Sequence, residues 1–476
     1  MSEQTVAGPT PSPKLPLANF AALASGELAS RAVGFAVTAM LTRRLGADGF
    51  GELAFAVAVA GYVLLVPVLS LQEFGSREVS RSPTQASHAI ASVTLVRLLV
   101  AMCGVGVLAL FAVLMPMAPH LKWLIVISGL AMVPTALNAG WGYKALEQTA
   151  RPGASLVLLQ VVSFVGVFTM VHGPGDLLRV PVIQAVGEVA AAALLLPLLW
   201  QGWPTASLKA GIALVRGASP MVVNRLLRAI VVAADVVMLG VLTESAQVGL
   251  YSAAYRVCFL LTAIAASAHI VFQPALMRAH DDAPRASKVL TDSTLVAGAL
   301  GLPLVAGGII VAPDLLGFLF SAPFRDATAA FRLLLLAMGM LFLHGTMNSA
   351  FLARHRLGAQ TAVIGAAAFL NVVLNAVLIP TWGILGASLA TVAAEGLILV
   401  GSVVVLRGWN WQIDYRVLAK PAFAASAMAL LLLALPGWHV MIRIIGGAVT
   451  YVGVLMLIGG VPDQLIPGCP RAWRRA

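Results

Sequence analysis

Charge is what this sequence has least of. Charged residues make up 10% of the 476 residues, against 60% hydrophobic ones. Soluble domains carry roughly 25% charged residues, so a soluble globular chain is excluded. Cysteine is also scarce: Cys103, Cys258 and Cys469 are scattered without a spacing that would form a disulfide framework or a metal site. Acidic groups are fewer than basic ones, 19 against 30, and the formal net charge is +11. Because the basic residues punctuate hydrophobic runs, that balance points to loops beside anionic lipid headgroups, not to nucleic acid. The chain has no G-x-x-x-x-G-K-[ST] phosphate loop, no H-E-x-x-H and no G-x-S-x-G. ATP hydrolysis by the first route is thereby excluded, no catalytic constellation or cofactor motif is visible, and the expectation is a non-enzyme without a metal.

Long apolar runs are what the chain has in abundance. Windows of about 20 apolar residues between proline, glycine and charge clusters predict an all-α polytopic membrane protein with about fourteen transmembrane helices. They fall near 17–41, 53–72, 89–115, 123–146, 154–172, 181–200, 217–241, 249–277, 290–312, 331–352, 358–380, 384–406, 417–435 and 440–461. The expected organisation is a disordered cytoplasmic tail (1–16), an N-lobe of six helices (17–202), a cytoplasmic linker (203–216), a C-lobe of six helices (217–406), two further helices (417–461) and a cytoplasmic tail (462–476). The first apolar run is longer than a signal-peptide core and lacks a cleavage site, so it is expected to stay as the first span. Proline inside spans, at Pro67, Pro134 and Pro303, predicts kinks.

Orientation follows from lysine and arginine. About 18 lie in the tails and even-numbered loops, Arg77, Arg81, Lys144, Arg151, Lys209, Arg216, Arg471, Arg474 and Arg475 among them, and about 7 lie in the odd-numbered loops. The positive-inside rule places both termini in the cytoplasm, in agreement with an even span count. The halves also echo each other. Leu45 and Gly46 followed by Phe50, Gly51 and Glu52 parallel Leu239 and Gly240 followed by Val248, Gly249 and Leu250. Six helices separate the copies, so the repeats run parallel, and transporters of that build bind substrate where the repeats meet.

Five arginines, Arg31, Arg97, Arg225, Arg228 and Arg256, fall inside apolar spans. An arginine at mid-membrane costs roughly 2.5–3.5 kcal/mol, so five facing lipid would cost about 12–17 kcal/mol. Two compensations are open. Acidic neighbours offer structural ion pairs: Glu27 lies four residues before Arg31 and Asp235 seven after Arg228, each on its arginine's helix face. Alternatively the guanidinium groups line a wet chamber and bind phosphate, for which their fork geometry is suited. Glu188 and Glu395 sit inside helices six and twelve; together with Glu27 and Asp235 they are the candidate groups for coupling to an ion gradient. Asn138, Asn348, Asn371 and Asn375 are candidate polar cavity residues, although such groups, like His269 and His344, more often hydrogen-bond between helices.

The most specific stretch is residues 369–391, FLNVVLNAVLIPTWGILGASLAT. With the segment from Ala234 and Asp235 to Leu239 and Gly240, the segment from Val248 to Arg256, and the segment from Arg31 through Arg43, Arg44 and Gly46 to Gly51, it resembles the polysaccharide and lipid-linked oligosaccharide flippases of the multidrug/oligosaccharidyl-lipid/polysaccharide exporter superfamily. The resemblance covers roughly residues 17–461. It implies a two-lobed helical transporter working by alternating access, with helices one, two, seven and eight around a central cavity. The implied substrate is an oligosaccharide on undecaprenyl pyrophosphate, destined for O-antigen, capsule or exopolysaccharide, and the implied site is the bacterial inner membrane. Membrane lipids, and a polysaccharide polymerase or export machinery, are the implied partners. A lipid II flippase, a drug/cation antiporter and, from another class, a membrane-embedded polymerase or ligase are the alternatives. An arginine-rich cavity suits cationic drugs poorly, and a polymerase or ligase would be expected to carry a larger outward loop than the one around 313–330.

Overall fold

The computed structural model describes residues 14–215 and 219–461. The expected tails fall largely outside this range. Every long element is a helix: α1 (Lys14–Ala60), α2 (Val66–Arg81), α3 (Ala86–Leu114), α4 (Pro119–Met132), α5 (Pro134–Leu137), α6 (Gly140–Ala145), α7 (Ala150–Met170), α8 (Arg179–Gly202), α9 (Leu208–Val215), α10 (Ser219–Leu242), α11 (Ser245–Arg278), α12 (Ala283–Leu319), α13 (Thr328–Ala353), α14 (Leu357–Gly408), α15 (Ala419–Ala434) and α16 (Val440–Leu457). A hydrocarbon solvent dictates this outcome, since helices satisfy their own backbone groups where no water can. The outer faces confirm that solvent. Leu110, Val113, Phe168, Phe369, Leu430 and Leu457 are exposed, an apolar surface that water would penalise and lipid tails accept.

Among the described residues, ten helical stretches are long and apolar enough to cross a membrane. The fourteen expected are not all found in this count. The two longest, Ser25–Leu64 and Leu357–Gly408, each contain a break that divides them. A straight helix of 52 residues would measure about 78 Å, more than twice a bilayer core of about 30 Å. Gly383 (φ 51°, ψ −127°) interrupts it, and Gly46 (φ 70°, ψ −175°) interrupts α1. Both have positive φ, where a Cβ is disfavoured, so glycine at these positions allows each reversal.

Two expectations of boundary change. The segment expected to end near residue 72 continues from α1 through a π-helical turn (Gly61–Leu65) into α2, because a helix need not stop where its hydropathy does. The span expected at 123–146 is found as one apolar stretch, Pro119–Ala145, but it is built of three short helices. Pro134 removes a backbone donor there, and Asn138 Oδ1 accepts from Gly140 N at 2.9 Å, ending one helix and opening the next. Part of the expected linker is ordered too: Ser207 N donates to Ser92 Oγ at 3.1 Å, and α9 follows against α3.

The chain forms two compact units. The first comprises Met1–Arg44 with Ala56–Arg225, and the second Leu45–Phe55 with Leu226–Ala476. The first has a core around Val79, Ile90, Trp141, Tyr143 and Leu195. In the second, Leu276, Met347, Leu406 and Trp411 form one cluster, and Val311, Met428, Leu432 and Tyr451 seat the α15–α16 hairpin on α12. Arg443 fastens that hairpin, donating to Asp314 Oδ2 at 2.6 Å and to the Leu432 carbonyl at 3.0 Å. Within this unit the echoing motifs meet. A Cβ at Gly51 would stand 1.8 Å from the Ser245 oxygen, and one at Gly249 would stand 2.0 Å from the Ala47 oxygen. The two backbones can touch this closely only because both residues are glycine.

Candidate functional site

The second unit holds a buried polar centre built on α10, α11 and α14. Asp235 is fully buried. Its Oδ2 accepts from the Tyr251 hydroxyl at 2.5 Å and from Thr391 Oγ1 at 2.6 Å, while Oδ1 accepts from Asn375 Nδ2 at 2.6 Å. Asn375 Nδ2 also donates to Asn371 Oδ1 at 3.1 Å, one helical turn away. Three donors converging on one carboxylate replace the water it would lose on burial. The remaining amide atoms, Asn371 Nδ2 and Asn375 Oδ1, are buried without a hydrogen-bond partner. This corrects the pairing expected for Asp235: polar groups from α11 and α14 take its carboxylate, not Arg228. The sequence expectation missed Tyr251 and Thr391, which lie 16 and 156 residues from Asp235.

One turn after Thr391, Glu395 Oε2 lies 2.5 Å from His344 Nε2, and both residues are buried. The other two asparagines bridge instead. Asn348 Oδ1 accepts from Gln360 Nε2 at 3.1 Å, joining α13 to α14, and Asn138 caps the break before α6.

In the first unit, Arg97 is fully buried on α3. It donates to the Asn138 carbonyl at 3.0 Å, at the break in the helix, and to the Thr135 carbonyl at 2.9 Å, which also accepts from Asn138 N at 3.2 Å. Glu188 of α8 stands beside the Thr135 side chain. Arg97 was expected to bind substrate; enclosed in this way, it supports the helix break. Glu27, half-buried on α1, faces Lys144 Nζ at 3.5 Å.

The remaining arginines differ. Arg31 is half-buried on α1 and Arg228 half-buried on α10, while Arg256 is exposed on α11. Among the described residues Arg228 and Arg256 have no ion-pair or hydrogen-bond partner, so each retains a full guanidinium fork for an anion. The Arg225 side chain lies outside the described residues. No group of three or more histidine, cysteine or acidic residues among those described is arranged to hold a metal ion.

Residues 17–280 match the family described as "Polysaccharide biosynthesis protein". The chain belongs to that family. The asparagine-rich motif, beyond the matched residues, has a physical meaning in the structure: Asn375 and Thr391 donate to Asp235, and Asn371 accepts from Asn375. Two curated relatives come from Haloferax volcanii. "Probable flippase AglR" is 26% identical over 47% of this chain and 49% of its own length. "Probable low-salt glycan biosynthesis flippase Agl15" is 24% identical over 33% of this chain and 34% of its own length. The chain thus spans half or less of the length of the curated relatives it matches. In three dimensions it is similar to "Lipid II flippase MurJ, inward closed conformation", with TM-score 0.75, 13% identity, and coverage of 92% of this chain and 98% of that one. It is also similar to an inward-facing multidrug resistance MATE family transporter of the MOP superfamily, with TM-score 0.62, 11% identity, and coverage of 80% and 94%. At such identities the likeness shows the fold alone, that of a multi-pass helical membrane protein.

Proposed function

We propose that this protein flips an undecaprenyl-pyrophosphate-linked oligosaccharide across a bacterial cytoplasmic membrane, supplying surface polysaccharide synthesis. The observation that carries the reading is the free guanidinium groups of Arg228 and Arg256 on otherwise apolar helices. They supply cationic contacts for a pyrophosphate, since arginine's planar fork matches phosphate oxygens bidentately; Arg31 and Arg225, each inside an apolar span, are further candidate ligands. Arg97 supports the fold and is not a ligand in this reading. Alternating access carries the headgroup from the cytoplasmic to the outer side while the prenyl tail stays in lipid. Both termini are cytoplasmic, a polymerase or export machinery receives the product, and no enzymatic step is involved. Of the acidic groups Glu27, Asp235, Glu188 and Glu395, Asp235 is the strongest candidate to couple transport to a proton or sodium gradient, since its charge is fully enclosed and its partners all lie on neighbouring helices.

A second reading, a lipid II flippase, is favoured by the fold likeness over 92% of the chain. Deleting the gene separates the two. The proposal expects intact cells that lack surface polysaccharide and accumulate its lipid-linked oligosaccharide on the inner leaflet. Arrested peptidoglycan synthesis would favour lipid II instead, and unaltered lipid-linked intermediates of both kinds would remove the flippase reading.

A further inference from the structure

Below the Asp235 centre the second unit contains another enclosed group of titratable side chains that the proposed transport of the glycan does not use. His344 on α13 and Glu395 on α14 share a contact of 2.5 Å, with side-chain exposures of 0% and 4%. The other ring nitrogen of His344, Nδ1, is buried without a hydrogen-bond partner. His269 on α11 stands close enough for its charge to interact with that of His344, and both of its ring nitrogens are buried without partners. The His269 ring abuts α13 at Gly345, where a Cβ would come within 2.1 Å of Nε2. Three helices thus deliver one carboxyl group and two imidazoles to one dry place, with three ring nitrogens unsatisfied. A purely structural contact would satisfy them, because buried polar atoms without partners are costly.

The surroundings bring little other charge. Between Asp292 and Asp314 the sequence of α12 has no ionisable residue, and it meets α13 there through Gly301 against Phe342. From α14, Thr391 stands one turn before Glu395 and donates to Asp235 of α10, which is the nearest further acid along that helix; Tyr251 of α11 shares the same carboxylate. On α13, Asn348 one turn on is neutral and bonded to Gln360.

We propose that His269, His344 and Glu395 form a proton-binding site separate from the Asp235 centre, and that the transport cycle loads and unloads it. With no proton the three groups carry charge −1, with one they are neutral, and with two they carry +1. The first proton resides between Glu395 Oε2 and His344 Nε2, as a carboxylic acid bonded to a neutral ring or as a carboxylate bonded to an imidazolium. The second adds to a lone pair on His269 or on the His344 ring. A low-dielectric interior favours the neutral state. The transport role rests on the flippase reading above; proton binding does not.

Infrared difference spectra of the purified full-length protein in lipid, taken between about pH 8 and about pH 5, test the site without any substrate. The expected result is a carboxylic C=O band from a buried acid that is absent in Glu395→Gln and shifted in His344→Gln, with an imidazole ring band that is absent in His269→Gln. If the glutamine variants do not fold, 15N-histidine labelling of the unaltered protein gives the same answer from the ring-nitrogen shifts. A pH-independent spectrum of the unaltered protein, in both carboxyl and imidazole regions, would overturn the proposal. The spectra and the export phenotype fail independently: titration without glycan export would remove the flippase reading and leave the proton site.

Discussion

Asp235 and Arg97 are both fully enclosed, yet they invite opposite treatments. Asp235 accepts from Tyr251, Thr391 and Asn375, and its neighbour Asn375 holds a spare Oδ1 while Asn371 holds a spare Nδ2. In Asp235→Asn those two amides can flip, so that the new NH2 donates to the Asn375 oxygen and the Asn371 amide follows. The substitution should therefore retain the fold, with melting within a few degrees of the parent, and abolish gradient-driven transport. Transport at the parental rate would remove Asp235 from ion coupling. Arg97→Met has no such escape. It strips the guanidinium donor from the Asn138 carbonyl and one of two donors from the Thr135 carbonyl, and a buried acceptor left unsatisfied costs about 1–3 kcal/mol. Thermal unfolding in detergent should show a clear loss of stability, and an unchanged melting temperature would contradict the role assigned to it. Sequence reading identified both residues as intramembrane charges but not their partners. Asp235 meets Asn375 and Thr391 from 140 and 156 residues away, and Arg97 meets Asn138 across 41. Helical periodicity reports a side chain's own face, not which distant helix lies against it.

At the scale of elements, glycine positions decide where helices stop and where they touch. The reversals at Gly46 and Gly383 were readable because apolar windows ended beside them, and both carry the positive φ that glycine permits. The breaks within 123–146 were readable only as a kink at Pro134, since Arg97 donates to the carbonyls there from a different helix. The contact between Ala47–Gly51 and Ser245–Gly249 gives a direct test. Cysteines at Ala47 and Ser245 should cross-link in the otherwise native chain, and adding Gly51→Val should suppress the cross-link by forcing the backbones apart. Equal cross-linking in both would show that the approach does not depend on glycine. The turn between α7 and α8 responds to pH instead. Asp176 accepts from His172 N at 2.9 Å and pairs with Arg179 at 2.8 Å, and the backbone bond foremost holds its carboxyl below the usual aspartate range. A carboxylate with a lowered folded pKa stabilises above its unfolded pKa and loses that contribution as pH falls through the folded value. Hydrogen exchange of the His172 amide should accordingly accelerate on acidification past the aspartate range, and Asp176→Asn should remove that dependence. Exchange that ignores pH beyond the intrinsic chemical rate would count against this turn as an acid-sensitive element.

For the whole molecule, composition alone was enough to establish a helical membrane protein, because 60% hydrophobic against 10% charged leaves no other solvent. The number of crossings was harder to read. Hydropathy windows suggested about fourteen, whereas helices such as α2 run past their apolar windows and stretches such as Leu357–Gly408 run on through a break. The proposed function depends on guanidinium groups on α10 and α11 that have no ion-pair or hydrogen-bond partner among the described residues. Measured in proteoliposomes with a fluorescent undecaprenyl-pyrophosphate-linked sugar as the probe, the native protein should move the headgroup between leaflets. The doubly substituted Arg228→Ala/Arg256→Ala protein, equally well incorporated, should do so at least about tenfold more slowly, the equivalent of losing about 1.4 kcal/mol of headgroup binding. Headgroup movement at the native rate in the doubly substituted protein would contradict the account.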